Sequence, residues 1–353
     1  MTLVAAIKIQ NIPTILADML ITDGSTEAPA IFMPTIPNRA LTPLNNRTIV
    51  SVRSKIIILN GTLAVAFTGY ISAGKTLFTD LERRFSQVTP SEKEIDDVLC
   101  SWNIALDGRA SVVGWVANPS PRCFEWSAKP GARVGWVAHS FKGSGANHFR
   151  NVILQADASG RGDLTERELS AFIAVTKANK VLSDEMLSQG GLYNHYGYCL
   201  EIVQWTGGVF EFQSKLASVF LDVVVKSEGP LHFNPASFRI YERHERFALI
   251  EMVHFYSHKG PDGLDRRHAF VEMISGIHDD CAELPLERKL LEPNSPIYTF
   301  NIAFRSEETG KSGTMQMTVP SSEVEIAGSR EKFQIVLREP AETIAQLKKA
   351  VGN

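Results

Sequence analysis

MTLVAAIKIQNIPTILADMLITD, residues Met1 to Asp23, is the stretch on which the reading of this chain turns. Thr2 to Ile9 and Ile12 to Ala17 are apolar runs of strand length, joined by a short turn at Gln10 and Asn11. A hairpin of that length folds Asp18 back beside Thr2. Met followed by the small residue Thr is the context in which an initiator Met is trimmed. Trimming leaves Thr2 with a free α-amine and a hydroxyl on one residue. That pair is a nucleophile carrying its own base. The α-amine has an ordinary pKa of about 7.7–8.0, so a useful fraction is unprotonated near neutral pH.

The stretch resembles the start of a mature proteasome β-type subunit, one of the N-terminal-nucleophile (Ntn) hydrolases, which include bacterial proteasome-like proteases. In that family the catalytic Thr opens the chain, an acidic residue follows sixteen positions later, and a substrate-binding Thr comes four after that. Counted from Thr2, those offsets fall on Asp18 and Thr22. The resemblance assigns a Lys beside the nucleophile to Lys55, with Arg53 as the alternative. The positive charge of that Lys would lower the pKa of amine and hydroxyl, and Asp18 would pair it. A family Gly whose backbone N–H supports the oxyanion corresponds to Ala66, whose methyl is expected to narrow the cleft. Gly143-Ser144-Gly145 matches a Gly-Ser-Gly whose Ser bonds the N-terminal amine. The family's Asp, Ser three later, then Gly points to Ser188, with Glu185 at the right spacing or Asp184 as the right acid one residue out.

The resemblance covers about the first 215 residues. It implies a four-layer αββα sandwich at 1-215, a threonine-type peptidase or amidohydrolase, and a peptide or protein as substrate. It also implies a homo-oligomeric ring, no cofactor and no metal, and leaves an ATP-dependent unfoldase open as a partner.

Length and composition set the frame. A chain of 353 residues with a formal net charge of -3 has room for two domains and little attraction for nucleic acid. Cys100, Cys123, Cys199 and Cys281 are scattered without a Cys-x-x-Cys, as buried thiols in a reducing compartment would be. No apolar run approaches the roughly 20 residues of a membrane helix, and the start lacks signal-peptide character. The expected location is the cytoplasm.

After Thr22 comes a loop broken by Pro29, Pro34, Pro37 and Pro43, an insertion of roughly twenty residues against the family, which lines the cleft or meets a neighbour. The runs Thr48 to Leu59 and Thr62 to Gly69 flank Asn60-Gly61, a strong hairpin signal. An amphipathic helix over Gly69 to Gln87 follows. Gly69 to Thr76, GYISAGKT, also fits the P-loop pattern, so a nucleotide hydrolase using Lys75 and Thr76 is the rival reading. A proteasome-like scaffold without activity is a third.

A capping box, Ser91 with Glu94, opens a second helix running to about Ala105. Strands are expected over Ala110 to Ala117, Arg122 to Ala128 and Arg133 to Ser140, then a helix from Ala146 to about Ala156. Asp163 or Thr165 caps a helix over Glu166 to Leu182, before strands at Tyr196 to Trp205 and Gly208 to Ser214. The remainder, 216-353, reads as a smaller β-rich domain with a short terminal helix, Ala341 to Val351. His254 and His258 there have no carboxylate to complete a metal site and read as packing or surface residues.

Overall fold

The computed structural model describes residues 3–23, 48–154, 164–186, 199–225, 232–244, 247–259, 265–278, 295–308, 310–329 and 332–337, with 345 and 349. Over these the chain is mixed α+β and mostly strand. The opening stretch forms β1 (Leu3–Ile9), β2 (Ile12–Asp18) and β3 (Leu20–Asp23). β4 (Thr48–Val52), β5 (Ile56–Leu59) and β6 (Leu63–Gly69) lead into α1 (Ile71–Phe85) and α2 (Glu92–Ser101). Then come β7 (Ala110–Ala117), β8 (Pro121–Ser127), β9 (Gly135–Val137) and β10 (Ser140–Gly143). The helices α3 (Ala146–Leu154) and α4 (Glu166–Met186) precede β11 (Leu200–Trp205) and β12 (Phe210–Phe212).

Turn chemistry sets the two opening hairpins. Gln10 and Asn11 (φ 48° and 63°), and again Asn60 and Gly61 (φ 47° and 65°), are consecutive left-handed residues. That backbone matches the right-handed twist of the strands it joins. The hairpins seed two five-stranded sheets, ordered β10-β1-β2-β11-β12 and β5-β6-β7-β8-β9. Successive residues on a strand point to opposite faces, and here both faces are buried. In β6, Leu63, Val65 and Phe67 join the core under α1 and α2, while Ala64 and Ala66 face the other sheet. In β1, Leu3, Ala5, Ile7 and Ile9 join the core with α3 and α4, while Val4 and Ala6 meet Ala64, Ala66 and Trp115 between the sheets. Burial on both sides is why these strands read as unbroken apolar runs.

The helix ends follow from local chemistry. Ser91 and Glu94 make the reciprocal capping box at α2. Thr165 and Glu168 make a second at α4, the Glu168 carboxylate taking the Thr165 N–H at 2.9 Å while the Thr165 hydroxyl takes the Glu168 N–H at 3.3 Å. α2 ends at Ser101, short of the expected Ala105, and α4 runs on to Met186, past Leu182.

Two expected single strands are divided. The run Thr48 to Leu59 splits into β4, paired with β3, and β5, paired with β6, because residues 53–55 bond elsewhere. The run Arg133 to Ser140 splits because β9 pairs with β8 in one sheet and β10 with β1 in the other, the chain crossing between them at Ala138 and His139.

Beyond Ser214 lie β13 (Lys215–Val225), β14 (His232–Arg243), β15 (Phe247–Lys259), β16 (Asp265–Ser275), β17 (Ile297–Ser306) and β18 (Ser312–Pro320). They form one sheet ordered β16-β15-β14-β13-β17-β18, antiparallel except for β13 beside β17. A hairpin of β19 (Val324–Ser329) and β20 (Lys332–Leu337) follows. The expected terminal helix lies outside the described residues except at 345 and 349, both helical. The six-stranded sheet shares a core with the first half: Tyr241, Ala248, Ile250, Ile274 and Ile297 cluster with Val181 of α4 and Leu200 of β11. Asn179 of α4 donates to Asn301 of β17 at 3.1 Å, and Gln316 of β18 donates to the Asn179 carbonyl at 3.0 Å.

Candidate active site

The β1–β2 hairpin, in register Val4 with Ala17 and Ile9 with Ile12, returns Asp18 to the start of β1. The Leu3 N–H donates to Asp18 Oδ1 at 2.7 Å. Asp18 is fully buried, its other flank closed by Leu200 of β11. Lys55 Nζ donates to the same Oδ1 at 2.7 Å and to the Leu20 carbonyl at 2.6 Å, with only 1% of Lys55 exposed. Burial pulls the Lys55 pKa below its ordinary value, against the opposing attraction of Asp18 and, more weakly, Glu201. A buried ammonium of this kind persists only when paired and hydrogen-bonded. Its positive charge stands one residue from position 2, because Leu3 N is the peptide nitrogen joining the two residues.

Of the expected site residues, Asp18 and Lys55 are brought together. Ser144 follows Gly143, the partner of Leu3 across β1 and β10, so it stands one residue beyond the pair that begins β1. Thr2 and Ser188 lie outside the described residues. Thr22 is on β3, its backbone opposite Ile49 next to a bulge. Arg53 is not the partner of Asp18: its Nη1 donates to the Ser275 hydroxyl and its N–H to the Met19 carbonyl.

Ala66 corrects the expectation of a narrowed cleft. It sits on an interior strand between Ile56 and Val113, and its methyl is fully buried between the two sheets. The methyl fills core space and reaches no cleft.

The P-loop reading also fails on geometry. Helix α1 begins at Ile71, so Gly74, Lys75 and Thr76 lie inside it, and only Tyr70 separates it from β6. A phosphate cradle needs free backbone N–H groups in a loop ahead of the helix. Here the Gly74 N–H already donates to the Tyr70 carbonyl at 3.0 Å, and the Thr76 hydroxyl donates back to the Ser72 carbonyl at 3.0 Å. Both glycines of the pattern are explained by packing. A Cβ on Gly69 (φ 140°) would meet the Arg109 carbonyl oxygen at 2.2 Å, and one on Gly74 would meet the Phe67 ring at 2.7 Å.

Comparison with known families finds no matching family model, and comparison with curated proteins finds no matching relative. The site therefore stands on its own chemistry.

That chemistry includes residues the sequence reading passed over. Glu201 on β11 is fully buried, with Oε2 accepting from the Ser54 hydroxyl at 2.7 Å and Oε1 from Arg243 Nη1 at 2.8 Å. Burial pushes its carboxyl up, opposed by Arg243, by Ser54 and by the Lys55 backbone N–H and charge. The signal in the sequence is an acid in the middle of Cys199-Leu200-Glu201-Ile202-Val203, a strand apolar on both faces. Among the described residues no group of His, Cys, Asp and Glu is arranged to hold a metal ion. The side chains of His254 and His258 lie outside the described residues.

Proposed function

We propose that the chain is a threonine-type amidohydrolase acting on a peptide or protein, with Thr2 as nucleophile once its nitrogen is freed of whatever precedes it. The observation that carries this reading is the buried Asp18–Lys55 pair, whose carboxylate also holds the Leu3 amide. A desolvated ammonium at that point lowers the pKa of a neighbouring amine, which then serves as base at neutral pH, and it stabilises a neighbouring alkoxide. The Thr2 amine takes the hydroxyl proton as Oγ attacks the amide carbonyl. The leaving amine departs with that proton, and water, activated by the same amine, cleaves the resulting ester.

The oxyanion then needs a backbone donor near the end of β6. The Phe67 N–H donates to the Lys55 carbonyl at 3.0 Å, so the exposed Gly69 lies two residues beyond Lys55 on that strand. Gly69 replaces Ala66 as the donor in this reading. The apolar core between the two five-stranded sheets, together with the cores they share with α1 and α2 and with α3 and α4, supports the αββα expectation.

Intact mass of the purified chain, before and after incubation with a peptide epoxyketone, tests the proposal. The expected result is a mature chain beginning at Thr2 and one adduct on that residue, absent in Thr2→Ala. Retention of Met1 in a chain that hydrolyses peptides, or hydrolysis that persists in Thr2→Ala, overturns it. A chain that begins at Thr2 and takes no adduct is a scaffold.

A further inference from the structure

Lys55 is the hinge between two strands that belong to different sheets, and the three residues 53–55 have no strand of their own. Each is held by a different partner. The Arg53 N–H donates to the Met19 carbonyl at 2.9 Å, and the Lys55 carbonyl accepts from Phe67. Ser54 is bonded on both sides by the end of β16 and the residues just after it, its N–H donating to the Ser275 carbonyl and its carbonyl accepting from Ile277, each at 3.0 Å. Its hydroxyl is bonded to Glu201.

Glu201 is in turn clamped by Arg243, at the end of β14 in the C-terminal sheet. The Arg243 guanidinium lies 3.9 Å from the centre of the Phe212 ring, and its backbone N–H donates to the Ser214 carbonyl at 2.7 Å. The buried charges thus alternate in sign: Asp18 from β2, Lys55, Glu201 from β11, Arg243 from β14. Arg53 is turned away to Ser275, and the Tyr241 hydroxyl beside Glu201 and Arg243 keeps its proton, because burial raises its pKa. A buried ammonium with two carboxylates in range holds its proton against desolvation better than one with a single partner.

We propose that Glu201 and Arg243 are positioning residues for Lys55, and that through them the C-terminal sheet completes the active site. This rests on the threonine-hydrolase reading. The sheet beyond Ser214 then fixes the Ser54–Lys55 segment and helps to keep Lys55 charged.

The test follows the rate of Thr2 modification by a peptide epoxyketone against pH, read by intact mass, in the full chain. Glu201→Gln keeps the shape while removing the charge and turning one of the two acceptor oxygens into an NH2 donor, which the Ser54 hydroxyl can accept by turning round. Its labelling is expected to slow on the order of a hundredfold, with the alkaline limb of the profile moved to lower pH as Lys55 loses its proton earlier. Arg243→Met is expected to slow labelling similarly, and Arg243→Lys to restore most of the rate. Thermal melts show which variants are folded. If Glu201→Gln does not fold, Ser54→Ala, which removes one bond to the carboxylate, must show the same shift at smaller amplitude. Wild-type rate and wild-type alkaline limb in the folded variants overturn the inference while leaving Thr2 as nucleophile. A wild-type chain that takes no label overturns the hydrolase reading, and this inference falls with it.

Discussion

One oxygen, Oδ1 of Asp18, accepts both the Leu3 amide and the Lys55 ammonium. Both donors point at it from buried positions, so its charge holds together the start of β1 and the link before β5. Asp18→Asn leaves Lys55 buried without its nearest counter-charge, and the expected loss is about 3–5 kcal/mol at pH 7, read by urea denaturation. Adding Lys55→Met should recover much of that loss, because the charge left behind is then gone. An additive double variant would show that the two side chains do not act as a pair. That Asp18 and Lys55 meet was legible in the sequence through resemblance, whereas Thr2 lies outside the described residues. Glu201 and Arg243 were not, because their meaning depends on residues far away in the chain meeting in a dry interior.

At the scale of elements, α1 and α2 are tied by Asp80. Its carboxylate takes Arg84 Nε at 3.0 Å, the Trp102 indole N–H at 3.0 Å, and Arg83. Burial alone would raise its pKa, but these bonds outweigh burial and hold it below the ordinary value. A depressed carboxylate stabilises the fold above its unfolded pKa, near 3.8, and that contribution is lost as pH falls through the lower folded value. Asp80→Asn should therefore destabilise by about 2 kcal/mol at neutral pH. The gap to wild type should close in acid, as melting curves from pH 7 downward would show. A gap independent of pH would assign the loss to shape and not to charge.

Elements governed by neighbours in the chain were readable in advance: the Asn60-Gly61 turn, the Ser91 capping box and the apolar face of α1. The breaks at 53–55 and at Ala138–His139 were not. Each lies inside a run of strand character, and the choice of sheet partner divides it. The rival P-loop pattern gives way for a related reason: a short string of glycines and Lys-Thr fixes no loop when close packing against Arg109 and Phe67 accounts for the glycines.

For the whole molecule, the division near residue 215 separates sheets but not cores. Tyr241, Ala248, Ile250, Ile274 and Ile297 from beyond it are packed with Val181, Leu182, Leu200 and Ile202 from before it. Removing the C-terminal sheet uncovers that apolar surface and leaves Glu201 without Arg243. A chain ending at Ser214 is accordingly expected to aggregate or to bind a hydrophobic dye strongly, checked by size exclusion and dye fluorescence. A monodisperse, dye-silent fragment with a cooperative melt would show instead that the first half folds alone.

The sequence by itself determined the hairpins, the helix starts and the unbroken apolar runs of the central strands, because each depends on turn geometry, capping or local composition within a few residues. Only the tertiary structure decided that Lys55 and not Arg53 pairs with Asp18, that Ala66 is core, and that the last sheet reaches the buried Glu201 through Arg243. Those outcomes depend on which buried charge meets which across long stretches of chain, and a buried charge takes whatever partner the packing brings within bonding distance.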